Sequence, residues 1–180
     1  MNFILKIKQK VININKDINV FIVDDNKLFA LSLKVDLENN FIDVPVKLHF
    51  FETGEKCMER FKEEEPEVVI LDYHLNGKYP EAMDGIKILD WIKKQNQKTK
   101  VIILTCEDNI EIALKSFHHG ASDYVVKTET KFRTINYSLL NLLKMVEAET
   151  YVRRYKQLRT GIFLCLALLV GAVIAVQIFI

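Results

Sequence analysis

With 180 residues, 25 lysines and arginines and 24 aspartates and glutamates, the chain is close to neutral at a formal charge of +1, so bulk charge points to neither a nucleic acid nor an acidic partner. The length holds one well-cored domain of roughly 100–150 residues plus an appendage. Cys57, Cys106 and Cys165 are odd in number, far apart and without metal-ligand spacing, which argues against a disulfide framework and fits a reducing compartment.

Residues 1–17 are rich in Lys, Asn and Ile, contain no acid before Asp17, and read as a solvated N-terminal extension. They are not a signal peptide, because Phe3-Ile4-Leu5 is interrupted by Lys6 before an apolar segment can build up. From Ile18 a regular alternation begins. A first strand ends at Val23, and a helix follows with Leu28, Leu31 and Val35 on one face, closing at Asn39 and Asn40. Val46, Leu48 and Phe50 alternate as a second strand; Cys57, Met58 and Phe61 mark a second helix closed by Pro66. The run VVIL forms a third strand, and Ile86, Leu89 and Ile92 carry a third helix at helical spacing. VIIL forms a fourth strand, followed by a helix that Asp108-Asn109 cap and Gly120 closes. His118 and His119 fit that helix end, where a positive side chain is favourable. A fifth strand ends at Lys127, and Thr130 opens a last helix with no proline or glycine before Thr160. In that helix Ile135, Leu139, Leu142 and Val146 are heptad-like, but Glu149 and Arg153 break the register, so packing on the sheet explains the first half better than a coiled coil.

Continuous Val/Ile/Leu runs separated by amphipathic stretches predict parallel strands covered by helices on both faces, an α/β doubly wound five-stranded sheet over residues 18–145. Each of four strands stops on a reactive residue: Asp24 and Asp25 after the first, Asp72 after the third, Thr105 after the fourth, Lys127 after the fifth. Open parallel sheets bind ligands outside the carboxyl ends of their strands. Two carboxylates about 5 Å apart repel by roughly 3 kcal/mol at an effective dielectric near 20, so such a cluster stays ionised only beside a cation. The pattern points to a metal and phosphoryl site.

FIVDDN, VVILDYHL, MDGIKIL, VIILT and HHGASDYVVK, in this order and spacing, resemble the receiver domain of bacterial two-component response regulators, from about Ile18 to Met145. The resemblance implies the flavodoxin-like fold and a phosphoacceptor rather than an ordinary enzyme, although the site assists its own phosphorylation and hydrolysis. Asp72 would take the phosphoryl group from a histidine kinase or histidine phosphotransfer protein. Mg²⁺ would be held by Asp25, Asp72 and the backbone carbonyl of His74, with Asp24 acting through a water. Thr105 and Lys127 would contact the phosphoryl group, and Thr105 and Tyr124 would form a conformational switch. His74 and Glu107 occupy positions that influence phosphate lifetime, and Cys106 stands where a small residue is usual. Lys127 is followed by Thr128 where the family has a cis-proline, so either the bond is trans with a rearranged loop or strain is stored there. The loop 73–85 is longer than the family norm.

The remainder reads as a basic juxtamembrane linker, 146–160, with Arg153, Arg154, Lys156 and Arg159, and a transmembrane helix at 161–180, GIFLCLALLVGAVIAVQIFI. No charge interrupts these residues, and at roughly 1.5 Å per residue they match a hydrocarbon core about 30 Å thick. The expectation is a single-pass protein of the bacterial inner membrane with its receiver cytoplasmic, no nucleic-acid partner, and a homodimer through Ala167, Gly171 and Ala175 as an option. Two alternatives stand: a receiver-like scaffold that is not phosphorylated, and a Mg²⁺-dependent phosphohydrolase with an Asp nucleophile. The second is disfavoured because its acid/base Asp would stand where His74 is.

Overall fold

A computed structural model describes residues 17–75 and 83–179; the side chains of 166, 167 and 169–179 lie outside that description. The N-terminal extension at 1–16 and the centre of the loop after Asp72, 76–82, likewise lie outside the described residues.

Five strands, β1 (Ile18–Val23), β2 (Val46–Phe51), β3 (Val68–Asp72), β4 (Lys100–Thr105) and β5 (Asp123–Val126), alternate with α1 (Lys27–Asn40), α2 (Gly54–Glu64), α3 (Gly85–Gln95), α4 (Ile110–His118) and α5 (Lys131–Phe179). They form one parallel sheet in the order β2-β1-β3-β4-β5. The inner strands β1, β3 and β4 each carry a run of four consecutive apolar residues, 20–23, 68–71 and 101–104, because both of their faces are covered there. On one face Val20, Ile22, Val68, Ile70, Ile102 and Leu104 pack with residues of α1 and α5. On the other, Phe21, Val23, Val69, Leu71, Val101 and Ile103 pack with α2 and α3. Helix starts follow local chemistry: the side chains of Asn26, Thr53, Asp84 and Asn109 each accept a hydrogen bond from a first-turn amide. Gly120 follows α4 at φ 93°, a left-handed conformation that glycine adopts without a Cβ clash.

One helix faces the other way from expectation. Leu28, Leu31 and Val35 of α1 are exposed, at 78%, 44% and 56%, and Ala30, Leu33 and Leu37 are buried instead. Both triplets have i, i+3, i+7 spacing, so periodicity alone cannot choose between them.

Contacts divide the chain into two compact units, Met1–Lys144 and Met145–Ile180. In the first, Ile135, Leu139, Leu142 and Leu143 of α5 are buried against the sheet, as expected of that half. In the second, every side chain over 148–165 is exposed. Among the described residues no helix is long and apolar enough to cross a membrane. The fold therefore lends the expected transmembrane helix at 161–180 no support, and that run falls mostly on side chains outside the described set.

Candidate phosphoryl and metal site

The strand ends converge as their sequence placement predicts. Parallel register sets Val23 beside Leu71 and Asp72 beside Leu104, so the residues that follow β1 and end β3 meet at one rim. Asp24, Asp25 and Asp72 each bring a carboxylate oxygen to within 4.8 Å of the other two. Asp24 is fully buried and Asp72 is 5% exposed. The Lys127 ammonium sits between them, 2.8 Å from Asp24 Oδ2 and 2.8 Å from Asp72 Oδ2.

Backbone bonds fix these positions. The Asp24 amide donates to the Phe51 carbonyl at 3.1 Å, and Asp24 Oδ1 accepts from the Asn26 amide at 2.9 Å. Asn26 in turn caps α1 through the Phe29 amide, so the acidic turn and the helix start are one structure. The Lys127 amide donates to the Thr105 carbonyl at 2.7 Å, tying the ends of β4 and β5 together. Among the described residues there is no cis peptide. The Lys127-Thr128 bond is thus trans, and Lys127 reaches both carboxylates without the usual proline.

Charge in this pocket is unbalanced. Burial first, and then the Asp72 carboxylate, push the Asp24 pKa up to about 6 against the pull of Lys127. For Lys127, burial disfavours the ammonium, but Asp72 and Asp24 outweigh it and hold the pKa above the ordinary lysine value. One ammonium faces three carboxylates, all of them hard oxygen donors, which is the donor chemistry that suits Mg²⁺. These residues fit the ion.

Thr105 is buried at the end of β4, its hydroxyl accepting from the Glu107 amide at 3.1 Å. Tyr124 on β5 is half-buried; its hydroxyl donates to the Glu107 carbonyl at 2.8 Å, alongside the loop after Thr105. The His74 amide lies 3.5 Å from Asp72 Oδ1. Cys106 points out as an exposed free thiol.

Three features of the site were not expected from the sequence. His74 Nε2 and Glu107 Oε1 meet at 2.9 Å on the exposed lip, a contact between residues 33 positions apart that no local spacing announces. Phe29 places its ring 4.6 Å from the Lys127 ammonium and stacks with Phe132, a cation–π contact in the first turn after the acidic pair. Gly85 is the third: a Cβ there would lie 2.5 Å from the Asp72 carbonyl oxygen and 2.8 Å from the Tyr73 Cα. Only glycine lets α3 start so close to the end of β3, where the Gly85 amide also donates to the Tyr73 carbonyl.

Comparison with known proteins agrees with this geometry. NtrC of Escherichia coli (strain K12), a DNA-binding transcriptional regulator, is 29% identical over 108 residues, covering 60% of this chain and 21% of NtrC. DctR of Bacillus subtilis (strain 168), described as a C4-dicarboxylate response regulator, is 33% identical over 104 residues, 58% of this chain and 39% of DctR. The chain thus spans only a minor part of these relatives. Among solved structures, the signal receiver domain of a Luxo repressor protein from Vibrio parahaemolyticus superposes with a TM-score of 0.65 at 27% identity, covering 76% of this chain and 98% of that one. DrrB of Thermotoga maritima superposes at 0.61 with 27% identity, covering 73% and 55%. The family model for the response regulator receiver domain matches residues 20–137, well over half the chain, and the protein belongs to that family.

Proposed function

We propose that the chain is a signalling phosphoacceptor in which Asp72 takes a phosphoryl group from a histidine kinase or a histidine phosphotransfer protein. The observation that carries this reading is the Lys127 ammonium held 2.8 Å from each of two buried carboxylates, Asp24 and Asp72, with Asp25 beside them. A carboxylate oxygen of Asp72 attacks phosphorus, an O–P bond forms, and the P–N bond to the donor imidazole breaks, returning its electron pair to the ring nitrogen. Transfer of this kind passes through a loose transition state with charge on the equatorial oxygens, so positioning and electrostatics supply most of the rate. Lys127 orients Asp72 before transfer and offers its ammonium to a phosphoryl oxygen afterwards; the Thr105 hydroxyl offers a second donor from the neighbouring strand end. Asp24, Asp25, Asp72 and the His74 carbonyl are the groups that would hold Mg²⁺, which when bound neutralises charge on the transferring group. Thr105 and Tyr124 form the switch, and the phosphorylated state is read by a partner.

The same reading places the protein at the bacterial inner membrane, receiver inward, on the strength of the charge-free sequence 161–180 and the cations Arg153, Arg154, Lys156 and Arg159 before it. Retention of the full chain in the pellet after alkaline carbonate extraction of membranes is the expected result; release would remove the anchor from the account.

Neither alternative gains from the geometry. The scaffold reading drew on Thr128, yet Lys127 reaches both carboxylates, and the hydrolase reading lacks an acid at position 74. Intact-mass measurement after incubation with a small phosphodonor and Mg²⁺ tests the proposal: one phosphoryl group adds to wild type and none to Asp72→Asn. An unmodified wild type would restore the scaffold.

A further inference from the structure

Lys127 leaves β5 on a trans bond to Thr128, and its ammonium rides on a flexible four-carbon stem. The backbone is held: the Lys127 amide donates to the Thr105 carbonyl at 2.7 Å, and the Thr128 amide closes back on the Val126 carbonyl at 2.8 Å, a three-residue turn centred on Lys127. The head of the side chain needs separate support. Equal distances of 2.8 Å to Asp24 Oδ2 and Asp72 Oδ2 confine its nitrogen only to a circle around the line between those oxygens. A third contact selects the point on that circle. The nitrogen lies over the Phe29 ring, 4.6 Å from its centroid, inside the roughly 6 Å reach of a cation–π attraction. The ring is itself built in. The Phe29 amide donates to Asn26 Oδ1 at 3.1 Å and the Asn26 amide to Asp24 Oδ1 at 2.9 Å, so Phe29 hangs from the same turn as one of the two carboxylates. It stacks with Phe132 of α5 at 5.7 Å and 26°, and both rings pack against the buried cluster on that face of the sheet. Next to Phe132, Asn136 Nδ2 donates both to the Phe132 carbonyl and to Asp36 of α1, tying the two ring-bearing helices together.

We infer that Phe29, braced by Phe132, is a positioning residue for phosphoryl acceptance: it holds the Lys127 ammonium against Asp24 and Asp72 in a turn that has no proline. The inference rests on the reading of Asp72 as the phosphoacceptor. An aromatic face suits the task for two reasons. Its quadrupole attracts the cation without offering an oxygen that would compete with a phosphoryl group for the ammonium protons. It also covers one side of a side chain that is only 10% exposed, which keeps water from loosening the ion pairs. A leucine in the same place would cover Lys127 but not attract it. Of the three contacts, the ring alone is untouched when Asp72 changes from carboxylate to acyl phosphate, so it keeps the ammonium in place while its anionic partners are exchanged.

The test compares wild type, Phe29→Leu and Phe29→Tyr as full chains in detergent micelles. In Mg²⁺-free buffer the Lys127 Cε protons, assigned by NMR through their loss in Lys127→Gln, should lie upfield of ordinary lysine because of the ring. Phe29→Tyr keeps that shift and Phe29→Leu loses it. With a small phosphodonor and Mg²⁺, intact mass should show acceptance by Phe29→Leu slowed roughly tenfold, the rate equivalent of a desolvated cation–π contact, and restored in Phe29→Tyr. Phe132→Leu, which leaves Phe29 in place without its brace, should fall between wild type and Phe29→Leu by both readouts. Added to Lys127→Gln, Phe29→Leu should slow acceptance no further, because the ring acts through the lysine, whereas a purely structural loss would persist in that background. An unshifted Lys127 signal in wild type, a Phe29→Leu rate equal to wild type, or the full tenfold loss recurring in the Lys127→Gln background would each overturn the role of Phe29. A wild type that takes no phosphoryl group sinks the phosphoacceptor reading, and the NMR comparison then decides by itself whether Phe29 holds Lys127.

Discussion

Lys127 satisfies two buried anions at once, and its removal exposes the cost of that arrangement. With only 10% of its side chain accessible, Lys127→Gln leaves Asp24 and Asp72 without their cation, and breaking a buried pair this way costs about 3–5 kcal/mol. Urea denaturation of the full chain in Mg²⁺-free buffer should show that loss, and added Mg²⁺ should recover part of it. Cys57 makes the opposite kind of prediction. Burial pushes its thiol up to about 12, so the folded protein keeps the proton while the unfolded chain gives it up from about pH 9 onward. Because the folded state then binds more protons, this group's contribution to stability falls as pH rises from about 9 to 12, by up to about 1.4 kcal/mol per unit. In native alkylation at pH 8, Cys106 is expected to react while Cys57 does so only after denaturation.

At the scale of elements, the strands were readable because each apolar run is bounded by turn residues and ends on a polar one. Asp24, Asp25, Asp72 and Lys127 inherit their meeting from that register, and the site was therefore visible before the fold. The core face of α1 was not. Its two apolar triplets differ by two positions, about 200° around the helix, and tertiary packing alone selects Ala30, Leu33 and Leu37. Leu33→Ala should destabilise by about 2–5 kcal/mol, the cost of a core truncation, whereas Leu31→Ala should stay within about 0.5 kcal/mol; paired chemical denaturation curves check the contrast. The His74–Glu107 contact was equally illegible, since it depends on how two loops approach across the rim. Gly85 stood in the quoted motif, but the close approach it permits to the backbone of Asp72 and Tyr73 is a tertiary fact that the motif did not reveal.

Across the whole molecule, the unbalanced carboxylates are expected to make stability depend on a divalent ion. Mg²⁺ that binds the folded chain stabilises it by RT ln(1 + [L]/Kd), about 2.7 kcal/mol at a hundredfold excess over Kd. The thermal midpoint should climb with Mg²⁺ and fall back on chelation. Asp24→Asn should start from a higher midpoint in Mg²⁺-free buffer, because one member of a repelling, desolvated cluster is gone, and should respond less to the ion. A wild-type midpoint indifferent to Mg²⁺ would remove the metal from the account.

The hydrogen bond from the Lys127 amide to the Thr105 carbonyl welds two chemically different groups into one lever. Neither strand end can shift along the rim without dragging its companion's backbone. A substitution that displaces the backbone at the end of β4 would consequently be felt by an ammonium that lies on the next strand over.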